Sequence, residues 1–296
     1  MTATTPDPAT EAFVTHRNLL FTVAYEMLGS AADAEDVLQE TWLRWTGVDL
    51  DTVQDRRAYL VRIVTRRSLD RLRALGRRKE SYVGPWLPEP LLTAPDVADD
   101  IELAEHLSMA MLLVLETLTP IERAVFVLRE VFDLDYEEIG EAVGRSATAV
   151  RQLAYRARSH VAARRPRGVV SAADTRAALD AFQRAVDTGD LQHLLDILAP
   201  DVVFLGDGGG VAQAALVPIV GARAVAALLA AGLRNLAIRS PRAASVNGHP
   251  ALVLSLDDRI DTVLALRIDN GRITALYSVR NPHKLTRLEQ ATPLHR

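Results

Sequence analysis

Pro85, Pro88, Pro90 and Pro95 stand within one short stretch of this chain, and they decide its architecture before any other feature. Proline fixes φ, lacks the N–H that a helix needs, and restrains the residue before it, so no helix passes between about Glu80 and Asp100. The polar residues there are mostly acidic (Glu80, Glu89, Asp96, Asp99, Asp100), and the segment reads as an extended tether. Helical spacing fills both sides of it up to about Arg165. The first half of the molecule is therefore predicted to be two all-α units joined by a Pro-rich acidic linker.

In the first unit, residues 11–79, Phe13, Arg17, Leu20, Phe21, Ala24 and Leu28 recur at spacings of three and four, as one face of a helix does. Gly29 and Ser30 break the run, and Ser30 or Asp33 can cap a second helix. Its inner stripe is Ala34, Val37, Leu38, Thr41 and Trp45, which turns Asp36, Gln39, Glu40, Leu43 and Arg44 outward. A polar loop, Thr46 to Asp55, precedes a third helix with Leu60, Ile63, Val64, Leu72 and Leu75 on one side and Arg62, Arg66, Asp70, Arg73 and Arg77 on the other. The second unit runs from Ile101 to about Arg165. Within it Tyr136, Ile139, Gly140 and Val143 form the inner face of a short helix, Gly144 supplies a positive-φ cap and Ser146 caps the next helix. Ala147, Val150, Ala154 and Ala157 then face inward, leaving Thr148, Arg151, Gln152, Tyr155, Arg156 and Arg158 outward. That is the pattern of a helix-turn-helix whose second helix offers long donors to a major groove.

After Pro166-Arg167-Gly168 the composition changes. Three helical runs (Ala172 to Val186, Leu191 to Leu198, Arg223 to Leu233) are followed by strand-like runs at Ala251 to Leu256, Ile260 to Ile268 and Ile273 to Val279. Asn247-Gly248 and Asn270-Gly271 sit beside them, the strongest short-range hairpin signal available. The last third is predicted to be α+β, helices first and a curved antiparallel sheet after.

Charge then points to a partner. The formal net charge is -4, yet Arg56 to Lys79 holds ten Arg/Lys against the single Asp70, and Arg145 to Arg167 holds seven against none. Phosphate contacts depend on local field rather than total charge, so two such patches suit a polyanion gripped at two places. The chain has no cysteine, which excludes disulfides, thiolate catalysis and Cys-ligated metal centres. No cofactor or metal is expected. The opening residues lack the order of a secretory signal and no window approaches a membrane span, so a cytoplasmic protein with no membrane partner is expected.

These residues resemble a known family, the extracytoplasmic-function sigma factors, the promoter-recognition subunits of bacterial RNA polymerase. DAEDVLQETWLRW (Asp33 to Trp45) resembles their second conserved region, which implies that Asp33, Asp36, Gln39, Glu40, Leu43 and Arg44 dock on the coiled coil of the polymerase β′ subunit. AYLVRIVTRRSLDRLRALGRR (Ala58 to Arg78) resembles the helix that reads the −10 element, implying DNA contacts from Arg62, Arg66, Arg67, Asp70, Arg73 and Arg77. LTPIERAVFVLREVFDLDYEEIGEAVGRSATAVRQLAYRARSHV (Leu118 to Val161) resembles the fourth region, which reads the −35 element beside the β flap. The resemblance implies roles there for Arg145, Ser146, Thr148, Arg151, Gln152, Tyr155, Arg156 and Arg158. Promoter opening needs bases to leave the stack at a cost of a few kcal/mol each, and the loop from Thr46 to Arg57 is where a pocket for them belongs. That loop contains no aromatic residue, so no stacking wedge is expected.

A narrower resemblance is to the subgroup with a Trp-Leu-Pro-Glu-Pro linker and a SnoaL-like domain, an α+β cone. The linker motif stands intact at Trp86, Leu87, Pro88, Glu89 and Pro90. The subgroup's DGGGK motif appears as Asp207, Gly208, Gly209 and Gly210 followed by Val211, without its lysine, and its NPDKL motif as Asn281, Pro282, His283, Lys284 and Leu285. The implied domains are 11–79, 80–100, 101–166 and 172–290. The glycine turn and the 281–285 segment are expected to lie against the linker, with Trp86 as anchor.

Two other readings compete. An enzymatic last domain would draw on His193, His249, His283, Asp207, Asp261 or Tyr277, but no acid/base pair at meaningful spacing joins them; a small-molecule pocket lined by Val202 to Leu205 and Leu252 to Leu256 is the stronger variant. A one-component helix-turn-helix regulator leaves the first eighty residues without a role.

Overall fold

The computed structural model describes residues 7–93, 101–164, 172–188, 190–235, 241–257 and 259–288, with Thr292 and Leu294. The linker acids Asp96, Asp99 and Asp100, Pro95, the Pro166-Arg167-Gly168 break and the side chain of Arg77 lie outside the described residues. Two compact units result: residues 1–78 with 114–165 and 293–296, and residues 79–113 with 166–292.

The first unit is helical. Helix α1 (Pro8–Leu28) is capped by the Asp7 side chain and closed by Gly29 in the left-handed conformation at φ 65°, which glycine adopts without steric penalty. Helix α2 (Ala31–Trp45) starts at Ser30, whose hydroxyl accepts from the Asp33 amide at 3.1 Å, and its buried stripe is Ala31, Ala34, Val37, Leu38, Thr41 and Trp45. The Trp45 indole donates to the Ala9 carbonyl at 2.8 Å, tying the end of α2 to the start of α1. Helix α1 departs from the expected single face: Leu19 through Leu28 are all buried, because a helix covered on every side buries its whole circumference. Arg17, which the spacing placed inward, is exposed and pairs with Glu35 at 2.8 Å. Helix α3 (Arg56–Lys79) follows a short 3₁₀ turn, Leu50–Thr52.

Helices α4 (Ile101–Leu107) and α5 (Met109–Leu115), which up to Leu113 belong to the second unit, are separated at Ser108, whose hydroxyl caps the second by accepting from the Met111 amide. Helix α6 (Pro120–Phe126) opens with a reciprocal capping box between Thr119 and Glu122 and continues as a π-type turn, Val127–Val131. Helix α7 (Tyr136–Val143) is capped by Asp135 and ends at Gly144, φ 68°. Helix α8 (Ala147–Arg164) buries Val150, Leu153, Ala154, Ala157 and Val161. The apolar spacing and the two caps make the helix-turn-helix.

The second unit is α+β. Helices α9 (Ala172–Thr188), α10 (Leu191–Ile197) and α11 (Ala222–Asn235) accompany six strands: β1 (Leu198–Asp207), β2 (Ile219–Val220), β3 (Arg242–Val246), β4 (His249–Leu256), β5 (Arg259–Asp269) and β6 (Arg272–Val279). Their order in the sheet is β2-β1-β6-β5-β4-β3. Both Asn-Gly pairs make their hairpins, with all four residues at positive φ, the conformation that matches strand twist. The expectation of an antiparallel sheet is corrected at one pair, β1 and β6, which run parallel with Phe204 opposite Leu276. The order of elements is corrected too, since α11 lies between β2 and β3.

Alternation along the strands gives the sheet two apolar faces. One carries Val202, Phe204, Leu252, Leu254, Leu264 and Leu276 against Phe182, Leu194 and Val225 of the helices. The runs expected to line a ligand pocket therefore contribute their inward side chains to a packed core. The other face carries Ala251, Val253, Val263, Ala265, Ala275, Tyr277 and Val279, packed against Leu87, Met109, Leu285 and Leu288. From Leu87 to Leu91 the linker is buried: the tether has no helix here, and its apolar surface seals a sheet face. Leu92 pairs with Val246 as an antiparallel bridge, and the Thr93 amide donates to the Ser245 carbonyl at 3.0 Å, which covers the exposed edge of β3.

Candidate nucleic-acid interface and linker contacts

The outward face of α2 stands as its spacing indicates. Asp36, Gln39, Glu40, Leu43 and Arg44 are exposed and Asp33 partly so; Leu43 shows 66% of its surface to solvent. The acids on this face meet the basic helix beside it. Arg71 reaches Asp33 at 3.4 Å and Asp36 at 2.7 Å, and Arg67 lies 3.8 Å from Glu40.

On α3, Arg62 donates to the Glu141 carboxylate at 3.0 Å, and Arg66 donates to the main-chain carbonyls of Glu141 and Ala142 at the end of α7. Arg73 pairs with Asp70. A cleft of about 310 Å³ opens beside these residues, lined among others by Gln54, Asp55, Tyr59, Arg62, Glu138 and Glu141. Its aromatic wall is Tyr59, in the first turn of α3, with its ring tilted against Trp45 and under the Arg62 guanidinium. The loop reading stopped short of it because Tyr59 belongs to the helix pattern.

Helix α8 presents Thr148, Arg151, Gln152, Tyr155, Arg156 and Arg158 to solvent, with Arg145 and Ser146 exposed at its start. Ser146 accepts from the Ala149 amide, and Arg145 donates to the Gly144 carbonyl. The segment free of acids in sequence is not free of them in space. Arg151 pairs with Glu137 at 3.1 Å, Arg156 with Glu122 at 3.3 Å and Arg158 with Glu130 at 3.5 Å. The hydroxyl of Thr119 holds the Glu122 carboxyl below the ordinary carboxylate range, with Arg156 adding to the effect against a burial penalty. Such exposed pairs are worth about 0–1 kcal/mol, so each arginine can exchange its carboxylate for a phosphate or a base edge at small cost.

In the second unit the linker and the two C-terminal motifs converge on one buried carboxylate. Asp207, fully buried at the end of β1, accepts from the Tyr82 hydroxyl at 2.6 Å, the Leu87 amide at 2.9 Å, the Gly209 amide at 3.0 Å and the Lys284 ammonium at 2.7 Å. Lys284 also donates to the Leu87 carbonyl, and its ammonium lies 4.2 Å from the centre of the Trp86 ring and 5.0 Å from that of Tyr82. Lys79 stacks 3.5 Å over the same indole. Burial pulls the Lys284 pKa down to about 8, against the pull of Asp207, and burial together with the bond to Asp207 pushes that of Tyr82 up. Asn281 donates to the Tyr82 hydroxyl at 2.7 Å and accepts from the His283 amide.

The glycine run is sterically required. A Cβ on Gly208 would meet the Ala212 carbonyl at 2.0 Å, and one on Gly209 would meet the Asn281 side chain at 2.2 Å. Pro88, Glu89, Pro90 and Leu285 are buried, whereas Val211, Pro282 and His283 are exposed. Tyr82 and Lys79 were not legible as part of this site, because they precede the motif and carry no spacing signal of their own.

Two of the other candidates for chemistry have structural partners. Asp261 pairs with Arg280 at 3.0 Å, and the His249 imidazole bonds the Ala104 carbonyl. Tyr277 is buried in the sheet face that the linker covers, and His193 lies on α10. Among the described residues no group of acids and histidines is arranged to hold a metal, and no helix is long and apolar enough to cross a membrane.

Residues 12–78 match the Sigma-70 region 2 family and residues 108–161 the Sigma-70 region 4 family. Over 285 residues the chain is 34% identical to the ECF RNA polymerase sigma factor SigJ of Mycobacterium tuberculosis, covering 91% of each. The chain belongs to the extracytoplasmic-function sigma factors. This sigma factor is also 32% identical over 284 residues to the probable ECF RNA polymerase sigma factor SigI of the same species, covering 94% of this chain and 95% of that one. The crystal structure of M. tuberculosis SigJ superimposes with a TM-score of 0.75 over 95% of this sigma factor and 99% of that chain, at 32% identity. The likeness extends through the α+β domain, and a helix-turn-helix regulator without a polymerase role is disfavoured.

Proposed function

We propose that the chain directs core RNA polymerase to specific promoters in the cytoplasm, and that its SnoaL-like domain modulates this in cis by holding the linker. In this reading residues 11–79 dock on the β′ coiled coil through Asp33, Asp36, Gln39, Glu40, Leu43 and Arg44, and read the −10 element through α3. Residues 101–166 read the −35 element through α8. Residues 172–290 act on the linker, residues 80–100. The observation that carries the modulatory role is the Asp207 carboxylate, whose four donors include the Leu87 main chain and the Tyr82 hydroxyl. A buried acceptor so engaged fixes the segment that supplies its donors, because leaving any of them unpaired costs about 1–3 kcal/mol. No catalytic step is assigned to the chain, in keeping with the structural partners of Asp207, His249 and Asp261.

The test is run-off transcription with purified core polymerase, comparing the full chain with residues 1–168 on the same promoters. A change in promoter strength or choice is expected on truncation. Equal transcription from both would sink the modulatory reading, and no promoter-specific transcript from the full chain would sink the sigma reading. DNA binding by the isolated chain together with failure to engage polymerase would favour a one-component regulator.

A further inference from the structure

The two Asn-Gly hairpin turns have the same backbone conformation, with Asn247 at φ 55° and Asn270 at φ 52°, but opposite surroundings. Asn270 is exposed, and a Cβ on Gly271 would meet nothing within 4 Å. Asn247 is fully buried. Its carboxamide oxygen accepts from the Leu91 amide at 3.0 Å and its amide nitrogen donates to the Leu107 carbonyl at 3.0 Å, while its own main-chain N–H donates to the Leu91 carbonyl at 2.9 Å. Beside it the Gly248 amide donates to the Thr93 hydroxyl at 3.0 Å, and a Cβ on Gly248 would meet that of Ala104 at 2.6 Å. The Asn270 turn demonstrates that such a hairpin closes without these contacts. The Asn247 side chain therefore serves two other segments: the linker at Leu91, and α4 at Leu107, whose carbonyl at a helix end has no partner within its own helix.

We infer that Asn247 is a positioning residue that fixes the linker to α4, the helix immediately ahead of region 4, and thereby sets which separations of the −10 and −35 elements the factor accepts. The inference rests on the promoter-recognition reading above. Its chemistry is that of a two-sided amide: one oxygen and one nitrogen, held in a buried turn, bridge chain segments sixteen residues apart. A side chain lacking either group leaves one segment unheld.

The experiment uses the full chain with core polymerase and promoters whose −10 to −35 separation is varied in single base-pair steps. Asn247→Gly keeps the turn conformation and removes both side-chain bonds, Asn247→Asp keeps only the acceptor for Leu91, and Asn270→Gly is the matched control. For the wild type and the control, the ratio of transcription at the best separation to that one base pair away should agree. In Asn247→Gly that ratio should fall by about threefold to tenfold, the worth of a lost hydrogen bond, or the optimum should move. In Asn247→Asp it should fall likewise, while hydrogen exchange still protects the Leu91 amide. An Asn247→Gly profile that matches Asn270→Gly overturns the inference, and does so even if the Leu91 amide loses protection, since that outcome means a purely structural role. If truncation at residue 168 alters transcription while Asn247→Gly does not, only this inference fails. If neither does, the modulatory reading fails with it.

Discussion

Glu26 shows how far a single residue can depart from its sequence appearance. It lies on α1 with no exposed surface, and neither carboxyl oxygen meets a hydrogen-bond partner among the described residues. The nearby Arg123 guanidinium donates instead to the Glu26 main-chain carbonyl and to the Glu116 carboxylate. Burial therefore outweighs the attraction of Arg123 and pushes the Glu26 pKa up to about 8 from an ordinary 4.5. Between those values the unfolded chain holds fewer protons than the folded one, so stability falls as pH rises through the window, in total by a few kcal/mol. Glu26→Gln should flatten that dependence and raise stability near the upper end of the window; urea unfolding at its two ends checks this, and an unchanged slope would contradict it. Asp207 is the converse case, a buried acid with every bond made. Asp207→Ala leaves the Lys284 ammonium without its carboxylate and should destabilise the second unit by about 3–5 kcal/mol, read by thermal or denaturant unfolding.

At the scale of elements, α8 joins its neighbours through exposed ion pairs rather than through packing of its basic face. Arg151→Ala should weaken promoter binding by about 1–3 kcal/mol if the side chain meets a base edge, with less than about 1 kcal/mol lost from folding, since its pair with Glu137 is exposed. Filter binding of holoenzyme and a melting curve separate the two effects. The start of helix α8 and most of its inner face were legible, because a glycine cap, a serine cap and a small-residue inner stripe are all local signals, although buried Leu153 and Val161 were not read into that stripe. So were both Asn-Gly hairpins and the outward face of α2. Other elements were not legible, for reasons of distance along the chain. The parallel pairing of β1 with β6 joins strands separated by about sixty intervening residues, and no local residue choice announces it. Proline at positions 85, 88 and 90 correctly excluded a helix but carried no sign that Leu87 and Leu91 would be buried against a sheet still far ahead in the sequence. The carboxylates facing α8 come from α6, the π-type turn after it and α7, so a reading of charge along one segment could not count them.

For the molecule as a whole, removal of everything after residue 168 deletes Asp207, Asn247 and Lys284 together, and with them every polar contact described here from the last domain to the linker. Limited proteolysis of the truncated chain should cut between Tyr82 and Thr93, where the full chain resists, and equal resistance would mean that the linker is held by other means. The pairing of β1 with β6 has a further consequence, for the newborn protein. The centre of the sheet cannot close until Val279 has left the ribosome, long after the linker has emerged. At about 5–20 residues per second, the promoter-reading helices are complete for roughly 6–24 seconds before the clasp on the linker exists. Each molecule thus passes through a brief youth in which it resembles its own truncation, and translation speed sets how long that state lasts.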